Sequence, residues 1–240
     1  MANPPDTSPK ISPSKHINNM SRYIKTGEEI ASNIDNRGPL VLTKNGKLQS
    51  DILEAYWEHG FYIFENVIDE QEVNELRGDA NNMIERAPAE PGGLYDAKGR
   101  KALGRDFARE PYTFIKPLSD PWGGTALLNG RHPTKMNEPI PEKDAPEHIV
   151  HLMYGMCEAM PAGLRVYGHP KLLAVAQSIN GEDFVPYNDA IFVKQPGLGG
   201  SVSWHQDGVT HWESPNWNEG IHGFNFQVQL YPTTPANSLW

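Results

Sequence analysis

Apolar positions recur at helical spacing in the first two thirds of the chain and at a spacing of two near its end. Ser50 opens a short helix whose Ile52, Leu53 and Tyr56 share a face, and Gly60 supplies the stop. Phe61–Phe64 is a brief apolar run that fits a buried strand. Asp69 is then an N-cap, with Glu72 three residues on as a capping box and Ile68 and Val73 at the staple positions. Val73, Leu76, Ala80, Met83 and Ile84 carry the helix that follows, and Pro88 closes it. Residues 88–143 are rich in Pro, Gly and Asn and show no period, as functional loops often do. Pro146–Met160 reads as a third helix, and Pro170–Asn180 as a fourth that ends at Gly181. Strands are expected afterwards: Phe184–Gln195, then Ser201–Asp207 beyond the turn Pro196–Gly200, then Phe224–Leu230. In the last, Phe224, Phe226, Val228 and Leu230 alternate with Asn225, Gln227 and Gln229. Helices first and strands later predict an α+β fold with the helices on one side of a β core.

Composition narrows the classes. The 240 residues suit one large domain, and a chain of this length buries enough surface to need no covalent staple. Residues 1–19, with four prolines among polar side chains, read as a disordered tail, leaving 20–240 as the domain. The formal charge is −9, with no basic block, which argues against a phosphate-tracking nucleic-acid surface. Cys157 is the single cysteine, so neither an internal disulfide nor a multi-cysteine zinc site can form; its apolar surroundings favour a buried thiol over a nucleophile. The polar, Pro-rich start has no apolar core of a secretory signal, and no apolar run is long enough to span a bilayer. The expectation is a cytoplasmic protein without a membrane partner.

The candidate chemistry lies in Ser203-Trp204-His205-Gln206-Asp207. On a strand, positions i and i+2 share a face, so His205 and Asp207 can address one ion together. An imidazole and a carboxylate so placed are two corners of the two-His-one-carboxylate triad, which leaves positions open for O2 and a chelating cosubstrate on ferrous iron. Spacing alone does not decide this. Nine histidines and 30 acidic residues make about one His-x-acid pair expected by chance, and the chain has two, the second being His211 and Glu213. Context separates them, because His205 follows a Gly-rich turn and an expected strand, whereas His211 lies in a Trp-rich segment without alternation. Gly197–Gly200 lacks the Lys-Ser/Thr and the helix of a phosphate loop and reads as a tight turn. Trp204, Trp212 and Trp217 fit core positions as well as a pocket, and Arg105 and Arg109 fit ion pairs as well as an acidic ligand.

Taken in order, these segments resemble the phytanoyl-CoA dioxygenase family of non-haem Fe(II), 2-oxoglutarate-dependent oxygenases. Gly60–Asp69 running into an amphipathic helix is similar to the family's N-terminal signature. Lys194-Gln195-Pro196-Gly197 followed by Trp204–Gly208 is similar to its first metal-ligand strand, and Leu230–Trp240 to the stretch leading toward its distal histidine. The resemblance covers roughly Leu48 to Trp240. It implies a double-stranded β-helix, a jelly roll backed by helices, with Fe(II) on His205 and Asp207, 2-oxoglutarate as cosubstrate, and O2 and a small organic molecule as the other partners. The carboxylate at Asp207 implies hydroxylation, since related halogenases have a small residue there. It also implies that the face carrying Asn188, Ala190, Phe192 and Lys194, and the side carrying Gln227, look onto the cosubstrate; one branch of the family has a tryptophan at the position of Gln227.

The family's third iron ligand and its 2-oxoglutarate-binding arginine fall beyond Trp240. The expectation is therefore an incomplete, C-terminally open β-helix, inactive or nearly so, with exposed apolar surface near Phe224–Leu230. Two alternatives stay open: a non-catalytic jelly-roll module or decayed pseudo-enzyme, and a zinc hydrolase built on His205, Asp207 and His211. Substrate and oligomeric state are not legible.

Overall fold

The computed structural model of the chain describes residues 13–124, 132–205 and 223–233, which fall into two compact units. The smaller contains helix α1 (Pro13–Ser32), strand β1 (Arg37–Pro39), helix α2 (Ser50–His59) and strand β2 (Ile63–Glu65). Helix α1 begins inside the stretch assigned to the tail, at a proline, whose fixed φ suits a first helical turn. Helix α2 keeps its expected bounds, buries Ile52, and ends on Gly60 at φ 78, in the left-handed region that glycine enters without penalty. β1 and β2 pair in parallel, Arg37 opposite Ile63, with the Asn36 amide donating to the Phe61 carbonyl at 3.3 Å. The expected buried strand is thus corrected: it starts at Ile63 in a two-stranded ribbon, and Phe61 and Ile63 stand exposed because a ribbon covers few side chains.

The larger unit contains helix α3 (Glu70–Glu85), strands β3 (Tyr112–Ile115) and β4 (Ile149–Tyr154), the short helices α4 (Met156–Ala159) and α5 (Pro161–Tyr167), helix α6 (Pro170–Asn180) and strand β5 (Ala190–Phe192). The capping box that opens α3 is complete. The Glu72 backbone N–H donates to the Asp69 carboxylate at 2.8 Å, and the Asp69 N–H donates to the Glu72 carboxylate at 2.9 Å. Leu76, Ala80 and Met83 then face inward, as their spacing requires. β3, β4 and β5 form an antiparallel sheet in that order. Leu76, Ala80 and Met83 of α3, Ala162 and Val166 of α5 and Leu172 of α6 pack against Tyr112, Val150, Met153 and Val193 in one apolar cluster. Tyr112 spans the layers, its hydroxyl donating to the Met83 carbonyl at 2.9 Å. Helices on one side of a sheet make this an α+β unit. The two facing sheets of a β-helix are not seen among the described residues.

Four expectations need correction. Pro146–Met160 is not one helix: Ile149–Tyr154 is the central strand, and Gly155 at φ 75 turns the chain into α4. A continuous apolar run has no period to separate strand from helix, and the β-branched pair Ile149-Val150 was the better signal. Phe184–Gln195 shortens to Ala190–Phe192, because Pro186 cannot donate to a ladder and Val185 and Tyr187 point to solvent. Ser201–His205 carries no strand, and residues 206–222 lie outside the described residues. Phe224–Leu230 also carries none. It lies along α3 instead: the Arg77 guanidinium donates to the Leu230 carbonyl at 2.5 Å, and Val228 and Leu230 join the apolar cluster. Asn225, Gln227 and Gln229 are exposed there, as is Phe226. Alternation reports which side a residue faces, and it does not report a ladder partner.

Candidate functional site

The sheet face away from the helices is built differently from the helix face, and a register fault in β4 is the cause. Thr113 pairs with Leu152 but Phe114 pairs with Val150, so β4 carries His151 as an extra residue. In an unbroken strand Val150 and Met153, three apart, would point to opposite faces. The bulge lets both enter the helix-side cluster and leaves His151 and Leu152 together on the other face. Across the sheet the Val193 N–H donates to the His151 carbonyl at 2.9 Å, so β5 holds the bulge from its far side.

His151 has no solvent exposure, and neither ring nitrogen has a hydrogen-bond partner among the described residues. Its ring lies 5.2 Å from that of Trp122 and 6.1 Å, edge-on, from that of Phe192. Burial first, then the nearby Lys194 ammonium, push its pKa down to about 4, while Asp120 pulls weakly the other way. Lys194 is itself held below its usual value by burial, and its Nζ donates to the Gly200 carbonyl at 2.5 Å. Asp120, fully buried, accepts from the backbone of Gly123 at 3.1 Å and Met136 at 2.8 Å.

The Gly-rich turn brings the next segment to this face. The N–H groups of Leu198 and Gly199 both return to the Gln195 carbonyl, with Gly197 at φ 70. Backbone bonds from Leu118 to Leu198 (2.8 Å) and from Ser201 to Ser119 (3.1 Å) then tie the strand-like Ser201–His205 beside Asp120. Gly200 must be glycine, since a Cβ there would stand 2.2 Å from Ile115 Cδ1 and 2.7 Å from the Ser119 carbonyl. Ser203 is buried, and Trp204 and His205 after it reach the surface.

His205 donates from Nδ1 to the Ser203 carbonyl at 2.8 Å, because a carbonyl can only accept. The neutral imidazole then carries its lone pair on Nε2, the form a metal ligand needs. The ring of His132 stacks on it at 4.4 Å and 26°, and His132 Nδ1 meets the buried Ser203 hydroxyl at 3.1 Å. Trp122 stands 6.0 Å from His132, so His151, Trp122, His132 and His205 form a continuous line of rings across the face.

The other expected site residues are placed less closely. Asp207, with His211 and His222, lies outside the described residues. Asn188 is exposed and accepts from the Arg109 guanidinium at 3.2 Å, while Arg109 lies over the Tyr154 ring at 3.7 Å. Gln227 is exposed on the segment along α3. No hydrogen bond or ring contact joins either to His205 among the described residues. Arg105 is ion-paired to Glu110 at 3.0 Å. The Cys157 thiol is pushed up to about 11 by burial and by Asp189, so it is no nucleophile at neutral pH. Sequence reasoning missed His132, Trp122 and His151. Only His151 left a signal, as the one polar residue in the apolar run Ile149–Tyr154.

Among the described residues no three His, Cys, Asp or Glu side chains group closely enough to hold a metal ion. What is present fits one donor of the three: a histidine with a fixed tautomer on a face lined by polar groups. Among the described residues no helix is long and apolar enough to cross a membrane.

Fold and site together define an α+β protein whose sheet carries a histidine-rich polar face. Residues 56–237 match the family model of phytanoyl-CoA dioxygenase (PhyH), and the chain belongs to that family. No curated protein and no solved structure matches it significantly. Members of the family are dioxygenases.

Proposed function

We propose that the chain is a non-haem Fe(II)/2-oxoglutarate-dependent oxygenase that hydroxylates a small organic substrate on a jelly-roll core. His205 and Asp207 are two of the iron ligands. Family membership supports the reaction class. The observation that carries the residue assignment is the orientation of His205, whose Nδ1 is committed to the Ser203 carbonyl so that Nε2 is the coordinating atom. Iron, when bound, supplies the activation of O2 that no side chain can provide. The chain's own residues orient and exclude. Ser203 and His132 fix the imidazole, Trp122 and Phe192 wall the face with apolar rings, and the Lys194 ammonium gives it a positive charge that suits an organic acid. The assignment of Asn188 and Gln227 to the cosubstrate rests on the family resemblance alone.

The test is spectroscopic. Anaerobic addition of Fe(II) and 2-oxoglutarate should give the visible charge-transfer band of an iron-chelated 2-oxo acid. His205→Ala and Asp207→Ala should each abolish the band. A band of wild-type strength in both variants would refute the assignment.

A further inference from the structure

His205 is gripped twice by one residue. His132 covers its ring, with centroids 4.4 Å apart and planes 26° from parallel. The same imidazole reaches the Ser203 hydroxyl through Nδ1 at 3.1 Å, and the Ser203 carbonyl accepts the His205 Nδ1 proton at 2.8 Å. His132, Ser203 and His205 therefore close a small ring of contacts. The two inner members are buried, His132 at 4% exposure and Ser203 at 1%, while His205 reaches the surface. A serine whose hydroxyl is anchored cannot rotate its peptide freely, so the hydroxyl contact steadies the carbonyl that sets the His205 tautomer. The stack limits the remaining rotation, about the Cβ–Cγ bond, which is broad for an imidazole when nothing packs on it.

We propose that His132 is a positioning residue for His205: through Ser203 and by stacking it holds the imidazole as the Nδ1–H tautomer with Nε2 presented for coordination. The proposal rests on the reading of His205 as a metal ligand. It assigns a purpose to a histidine that sits in the aperiodic stretch before β4, far from the His205 segment in sequence and beside it in space.

The experiment uses the full chain and two readouts, neither of which is turnover. The first is the imidazole 15N chemical shifts of His205, which report its tautomer without metal. The second is the Co(II) dissociation constant from titration calorimetry. In the wild-type protein His205 should be the Nδ1–H tautomer. His132→Ala should give a tautomer mixture and weaken Co(II) about tenfold, the lower end of what loss of an orienting partner costs a metal site. His132→Phe keeps a ring over His205 but loses the serine contact, and Ser203→Ala loses only the hydroxyl. Both should fall between wild type and His132→Ala. If His132→Ala does not fold, the Phe and Ser203 variants carry the test. Co(II) binding that is lost in His205→Ala but unchanged, along with the tautomer, in all the folded His132 and Ser203 variants would overturn the positioning role alone. A wild-type chain that binds no Co(II), or binds it equally well as His205→Ala, would overturn the ligand reading and the positioning role with it.

Discussion

The two faces of the β3–β4–β5 sheet share strands and backbone hydrogen bonds but are specified by different physics. The helix-side face is closed by volume: Met83, Met153 and Met160 are at most 1% exposed and fill one cluster with leucines, valines and alanines. The opposite face is closed by rings and polar groups, and one of these, His151, is buried without a hydrogen-bond partner among the described residues. A buried polar atom left unsatisfied costs the fold about 1–3 kcal/mol, so His151 is a residue whose place stability alone does not explain. A single extra residue in β4 separates the two regimes.

The largest effect should come from the apolar face. Met83→Ala opens a cavity under α3 and should cost roughly 2–5 kcal/mol in chemical denaturation, without changing the Co(II) affinity of the folded fraction. Loss of affinity at full folding would show that the faces are coupled.

The polar face should answer to pH instead. His151 is held down to about 4 from an ordinary 6.5, so its neutral form stabilises the fold fully above pH 6.5. That contribution drains away as pH falls from 6.5 toward 4, because the unfolded chain takes up the proton first. The loss should be on the order of 3 kcal/mol, at 1.36 kcal/mol for each pKa unit. His151→Leu should flatten this part of the stability–pH curve and leave the protein at least as stable as wild type at pH 7.5. A slope that persists in His151→Leu would place the titrating group elsewhere.

The smallest effect lies outside both faces. Asp69→Ala removes the capping box of α3 and should cost about 1 kcal/mol in thermal or urea unfolding, with no change in the pH slope.

The helices were more legible in sequence than the strands. Local rules set α2, α3 and α6: a cap, an apolar spacing and a terminal glycine each act within a turn or two, so Gly60, Asp69 and Gly181 could be read directly. The strands were not, since pairing depends on residues far away. Ile149–Tyr154 looks helical until β3 and β5 are set beside it, and Phe224–Leu230 alternates cleanly while docking on a helix. Of the motif His205-x-Asp207, which lies in one segment, the described member His205 sits on this face, stacked on His132. The site was not legible where the fold assembled it from separate segments, as at Trp122, His132 and His151. No spacing rule reaches from position 132 to position 205.

The most direct test of the account is where a metal ion goes. In a chain with assigned aromatic and methyl resonances, substoichiometric Mn(II) should broaden the ring signals of His205, His132 and Trp122 first, and the Met83 and Met160 methyls on the helix side only at higher loading. Broadening that begins on the helix side, or that spares the His205 ring, would contradict a metal-binding face on this side of the sheet.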